Sequence, residues 1–245
     1  MKIISFSGRA GIGKTTIVRE LMGHLYEDGF FPVYLPFAAA LKEEADKAGY
    51  GKEEDPVGYR KYCQNWGAKM REQNQDYWID KWVEQYEKHL FKETSGERES
   101  ETVILVDDCR YVNETEAIKL RGGKTVFVAG GKRTLANENV PWRKHESEAL
   151  ANLIEKTLKH RPEALTPFCH LFWNNKSLEE LEENLFVAYE DWLEDEPCDC
   201  ELCLARREGR EPDMGTVFEE IKEILLSENI DPSEIFDADA NNSDP

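Results

Sequence analysis

Nowhere in these 245 residues do apolar side chains approach a run of 18, so no segment reads as a membrane-spanning helix and no membrane partner is expected. The opening KIISFS run is cut short by Gly8 and Arg9, and Lys14 follows; a secretory signal needs about 7–15 apolar residues before a small-residue cleavage site. A cytoplasmic location is therefore expected. The six cysteines (Cys63, Cys109, Cys169, Cys198, Cys200 and Cys203) are then expected as thiols or metal ligands, not as a disulfide framework. Internal repeats are missing, and so is any Gly/Ser linker, which leaves one domain over 1–193 with an appendage over 194–245. Basic residues are scarce in one place: residues 177–245 hold 23 acids against 4 bases, whereas 1–176 hold 27 of each. The whole net charge of −19 thus belongs to the carboxyl-terminal stretch, and the neutral body can bind phosphates through local fields. The acidic stretch itself reads as a solvated, solubilising segment or as a docking site for a protein partner.

Short β-branched and aromatic runs alternate with longer helical periods. Residues 2–7, 32–35, 102–106, 124–129 and 168–172 read as strands buried on both faces. Helices are expected at about 15–28, 38–48, 57–73, 75–91, 113–121 and 147–159; in the first, Ile17, Leu21 and Leu25 make one apolar stripe. Strand–helix alternation predicts a parallel α/β sheet with right-handed crossovers. Residues 92–101 (KETSGERESE) form a polar loop. Ser177 with Glu180 has capping-box spacing for a helix to about Leu193, a further short helix is expected at about 215–228, and 237–245 should be disordered.

The strongest motif is Gly8-Arg9-Ala10-Gly11-Ile12-Gly13-Lys14-Thr15, a full G-x-x-x-x-G-K-[ST] between a strand and an amphipathic helix. Gly8, Gly11 and Gly13 let the chain curl, so that N–H groups from Ile12 to Thr16 converge on phosphate oxygens at a helix N-terminus. Lys14 should reach the β- and γ-phosphates of ATP, and Thr15 should offer its hydroxyl to Mg²⁺. The apolar run 103–106 ends in Asp107 and Asp108, which places carboxylates beside that loop as further Mg²⁺ ligands; Asp107 is the first choice. Arg110, two residues on, can neutralise charge on a transferring phosphoryl group or pair with a neighbouring acid. Asn113 and Glu114 read as caps of the next helix. The aromatic and basic stretch 59–82 offers Trp66, Tyr77, Trp78 and Trp82 as core or as a stacking platform, with Arg60, Lys69 and Arg71 for phosphate.

Taken in order, these runs resemble the bacteriophage deoxynucleoside monophosphate kinases, a branch of the P-loop nucleotide kinases. The resemblance rests on the phosphate loop, on 35–38 (LPFA) with Leu41-Lys42, and on 64–67 (QNWG) with Arg71 and 76–78 (DYW). Residues 107–114 (DDCRYVNE) are similar to the family's D-x-R-x-x-N-E run, and 145–148 (HESE) and 174–181 (NNKSLEEL) also correspond, so about 1–192 is covered. It implies a P-loop kinase fold, a five-stranded parallel sheet flanked by helices, with ATP on the loop and the acceptor under a helical arm. It further implies Phe37, Lys42, Arg71 and Trp78 around the acceptor, Arg110 beside the transferred phosphate, and Arg133, or Arg143 with Lys144, as lid-side cations. The loop continues as Lys14-Thr15-Thr16, a departure from the family, which favours an acidic residue next to the Lys. Related phage kinases that phosphorylate 5-hydroxymethyluracil within DNA use the same ATP apparatus, so DNA is the alternative acceptor, and a slowly hydrolysing ATP-dependent switch is a second alternative. Outside the resemblance, Cys198, Cys200 and Cys203 are compact enough to hold a structural Zn²⁺ with a fourth ligand from Cys63, Cys169 or His170, or to stay free thiols.

Overall fold

The computed structural model of the chain describes residues 1–130, 150–152, 154, 168–174, 178–194 and 208–210. Five strands, β1 (Lys2–Ser7), β2 (Phe31–Tyr34), β3 (Thr102–Val106), β4 (Lys124–Ala129) and β5 (His170–Trp173), form one sheet in the order β2-β3-β1-β4-β5. All four pairings are parallel. Among the described residues the bounded helices are α1 (Lys14–Glu27), α2 (Ala39–Lys47), α3 (Pro56–Gln73), α4 (Tyr77–Thr94), α5 (Val112–Leu120) and α6 (Leu178–Leu193), and residues 150–152 and 154 are helical as well. The expected α/β class, parallel sheet and strand count are therefore present. The described helices match the expected ones to within a few residues.

The sheet is covered on both faces because its strands alternate between two cores. Ile4, Phe6, Val103, Leu105, Val126 and Val128 point to the face of α1 and α6, where Leu21, Leu25, Leu185 and Trp192 close over them. Ile3, Ile104 and Val106 point the other way, toward Ile79, Trp82 and Tyr86 of α4 and Ala117 and Ile118 of α5. Ile4, Phe6, Ile104 and Leu105 are fully buried; each such side chain contributes about 1.5–3 kcal/mol relative to exposure. A third cluster joins Phe127 and Ala129 to Leu150, Ala151, Ile154 and Phe168.

Differences from the sequence reading are local. β2 begins one residue earlier and carries Pro32, which a sheet edge tolerates because no ladder N–H is needed there. β5 starts at His170 rather than Phe168, which is buried just ahead of it. α4 runs on to Thr94 into the polar stretch, where Glu93 accepts from the Thr102 N–H at 2.9 Å. α3 is started by Asp55, whose side chain accepts from Gly58 N at 2.9 Å, with Pro56 in the first turn. Arg133, Arg143, Lys144, Cys198, Cys200, Cys203 and the helix expected at 215–228 lie outside the described residues.

Candidate active site

β1 and β3 are neighbours whose following segments leave for opposite faces of the sheet, α1 on one and α5 on the other. A crevice therefore opens at their carboxyl ends, the place where open parallel sheets take ligands. The phosphate-loop motif follows β1, and the carboxylate pair follows β3. Gly8 is required twice over: its φ is 131°, and a Cβ would stand 2.4 Å from the carbonyl oxygen of Val128 on β4. Gly13, at φ 99°, lies equally tight, with a Cβ position 2.6 Å from Asn174 Nδ2. That same Nδ2 donates to Ile12 O at 2.7 Å, so the end of β5 clamps the middle of the loop. Ile12 itself is 5% exposed and anchors in the core, while Thr15 is exposed at the first turn of α1.

Lys14 lies folded over its own loop, donating from Nζ to Gly8 O and to Arg9 O at 2.9 Å. Thr15 Oγ1 donates to Asp107 Oδ2 at 2.5 Å, and Tyr34 Oη donates to Asp107 Oδ1 at 2.8 Å. One carboxylate thus joins the phosphate loop, the end of β3 and the end of β2. Burial pushes the Tyr34 phenol upward, and Asp107 reinforces the shift, so Tyr34 stays the donor in that bond. Thr15 and Asp107 together offer two hard oxygen ligands, the number Mg²⁺ takes from a protein when nucleotide phosphates and water complete its shell.

Asp108 does something else. Its two oxygens accept from Phe37 N at 2.8 Å and Ala38 N at 3.0 Å, the amides that open α2. A carboxylate there satisfies two backbone donors and complements the helix dipole. Burial raises its pKa, opposed by the Lys42 ammonium and reinforced by Asp107. Lys42 consequently stands beside Asp108.

Glu114 is the next buried acid, 3% exposed. Its Oε2 accepts from Arg110 N at 2.7 Å and Tyr111 N at 3.2 Å, and its Oε1 faces Arg71 Nη2 at 3.5 Å. The Arg71 guanidinium also lies 4.1 Å over the Tyr111 ring. Burial pushes Glu114 up to about 7 against the pull of Arg71 and the amides. Asn113 reaches sideways, donating to Asp76 Oδ1 at 2.8 Å and Gln75 O at 3.3 Å, which ties the start of α5 to the α3–α4 turn.

Two residues expected around the acceptor are buried. Trp78 is 2% exposed, with its indole N–H donating to Gly67 O at 3.1 Å, so it joins α4 to α3 and offers a base no accessible face. Phe37, 3% exposed, packs on Trp82 with ring centroids 5.0 Å apart and likewise belongs to the core. Trp66 is half-buried and bonded to Glu44 Oε2, with Lys69 Nζ 5.3 Å from its ring. Tyr34 carried no signal in the sequence. Asn174 stood only in a polar strand-end run, and Glu114 was read as a cap. That cap is real, but it also reaches Arg71. Among the described residues no group of His, Cys, Asp and Glu has the arrangement of a metal cluster. Nor is any described helix long and apolar enough to cross a membrane.

No model of a known protein family matches the sequence, and no curated protein does. Among solved structures it is similar to a dephospho-CoA kinase from Campylobacter jejuni, at 13% identity over 78% of this chain and 97% of that one, with a TM-score of 0.43. It is also similar to a shikimate kinase from Bacteroides thetaiotaomicron, at 18% identity over 77% of this chain and 96% of that one, with a TM-score of 0.34.

Proposed function

We propose that this chain is an ATP- and Mg²⁺-dependent kinase that passes the terminal phosphoryl group to a deoxynucleoside 5′-monophosphate, giving the diphosphate and ADP. The observation that carries the reading is the contact of Thr15 and Asp107 at the mouth of a complete phosphate loop, with Lys42 beside Asp108, and with Arg71 and the Arg110 backbone both on Glu114. In the reaction, Lys14 exchanges its loop carbonyls for the β- and γ-phosphates of ATP. Thr15 and Asp107 are the residues that would hold Mg²⁺, which would supply neutralisation of the phosphate charge. Arg110 serves the migrating phosphoryl group. Lys42 and Arg71 serve the acceptor phosphate, as a point charge and a planar fork respectively. The bond from the γ-phosphorus to ADP breaks as one to an acceptor oxygen forms, and catalysis is positioning plus electrostatics.

The state of the carboxylates supports a phosphate acceptor over a hydroxyl. An alcohol must lose its proton to a base within reach, whereas a phosphate oxygen arrives already anionic. Among the described residues the three acids of the site have both oxygens engaged: Asp107 by Thr15 and Tyr34, Asp108 by two amides, Glu114 by Arg71 and two amides. The test is ATP-dependent labelling of a panel of deoxynucleoside monophosphates, 5-hydroxymethyl-dUMP, and duplex DNA carrying 5-hydroxymethyluracil. A diphosphate product supports the proposal and names the substrate. Label only on DNA would transfer the protein to base modification, and ATP binding without any labelled acceptor would make it a switch.

A further inference from the structure

We propose that Glu114 is a positioning residue of the acceptor site, holding Arg71 of the helical arm and the Arg110 turn in one fixed frame. The inference rests on the kinase reading only in taking Arg71 and Arg110 as phosphate-facing cations. It begins from a carboxylate 3% exposed whose oxygens are divided between two elements. Oε2 takes the Arg110 and Tyr111 amides, which fixes the backbone from which Arg110 projects. Oε1 lies 3.5 Å from Arg71 Nη2, which comes from α3. The guanidinium is confined on two further sides. Its face lies on Tyr111 at 4.1 Å, and Nη1 comes within 3.4 Å of where a Cβ on Gly67 would sit. A larger residue at 67 would also press on Leu41 Cδ2, 3.3 Å away, so Gly67 lets Arg71 lie close along its own helix.

A guanidinium has five N–H donors, and one edge toward Glu114 leaves others for a ligand. Arg71 side-chain accessibility is 22%, against 4% for Glu114, so the ligand-facing part of the pair is the arginine. A plain cap would need only the Tyr111 amide; the second oxygen aimed at another helix is what a cap does not require. The groups facing Glu114 are Arg71 from α3 and Asp108, Cys109 and Tyr111 from the turn before α5, with Lys42 of α2 acting through Asp108. Their balance leaves Glu114 titrating near 7, so its grip on Arg71 strengthens as pH rises through neutrality.

The experiment uses the full chain with Glu114→Gln, which keeps the shape and removes the charge. Steady-state kinetics are run with whichever deoxynucleoside monophosphate the wild type phosphorylates. The acceptor KM should rise about tenfold while the ATP KM stays within about twofold, and the wild-type rise in acceptor kcat/KM across pH 7 should flatten. Arg71→Ala should lose more, and adding Glu114→Gln to it should change little further, because one acts through the other. An unchanged acceptor KM in the folded Gln variant, or losses that simply add, would overturn the proposal. A second readout needs neither catalysis nor the variant: the side-chain Nε–Hε resonance of Arg71 in the ¹⁵N-labelled wild type. It should move with a midpoint near pH 7 whether or not any acceptor is phosphorylated. A resonance indifferent to pH from about 5.5 to 8.5 would also sink the inference, leaving the acceptor panel to judge the kinase reading separately.

Discussion

On the proposed donor side of the crevice, the groups come from eight consecutive residues and the end of one strand, joined by the Thr15–Asp107 bond. On the proposed acceptor side, Lys42, Arg71 and Arg110 come from three separate segments that meet buried acids, Asp108 at the mouth of α2 beside Lys42, and Glu114 between α3 and α5. The first half is a backbone device whose geometry is set by where glycine is required. The second is an electrostatic device in which anions excluded from water arrange cations. A local motif can therefore specify the donor half, while the acceptor half exists only after α2, α3 and α5 have packed.

If this division holds, injuries to the donor half should stop chemistry, and injuries to the acceptor half should weaken recognition. Lys14→Ala should reduce phosphoryl transfer about 10³-fold or more in a coupled ADP assay, with an unchanged circular dichroism spectrum; near-normal turnover would take the loop out of the mechanism. Asp107→Asn should raise the Mg²⁺ concentration for half-maximal rate about tenfold or more, read from a Mg²⁺ titration at saturating ATP. Gly8→Ala combines a disfavoured φ with a carbonyl 2.4 Å from the new methyl group. It should lower unfolding free energy in urea by about 2 kcal/mol or more. The smallest effect tests whether Trp78 acts only in packing: Trp78→Phe leaves Gly67 O without its indole donor. It should cost about 1–2 kcal/mol in the same unfolding measurement and leave the acceptor KM within about twofold. A large rise in KM with stability intact would return Trp78 to the site.

How far the sequence could be read follows the same division. The strands were legible because each is a short apolar run bounded by charge or glycine, and both-face burial demands that composition. Asp107 and Asp108 were legible as a pair but not as two roles. Adjacent residues leaving a strand point to opposite sides, so one carboxylate meets Thr15 while its neighbour meets the amides of Phe37 and Ala38. Nothing in the composition of 59–82 distinguishes a stacking indole from a buried one. Trp78 is interior because α4 packs against α3, where its indole N–H meets Gly67 O, and that is decided by packing rather than by local pattern. Tyr34 escaped notice because one tyrosine at a strand end acquires meaning only when the neighbouring strand places Asp107 within 2.8 Å.

The position of β1 has a consequence for how the chain reaches this state. It is the first strand in the sequence yet the central one in the sheet, and Lys2 to Ser5 pair with Val103 to Val106. During synthesis at roughly 5–20 residues per second, a strand that carries Ile3, Ile4 and Phe6 must therefore wait about 5–20 seconds for its first sheet partner. Through that interval α1 is the cover available to it, since Ile17, Leu21 and Leu25 share its cluster and lie within the same first 30 residues. The helix that follows the phosphate loop thus also shelters the nascent strand behind it, and substitutions along its apolar stripe should lower the yield of folded protein out of proportion to their effect on the stability of the finished protein.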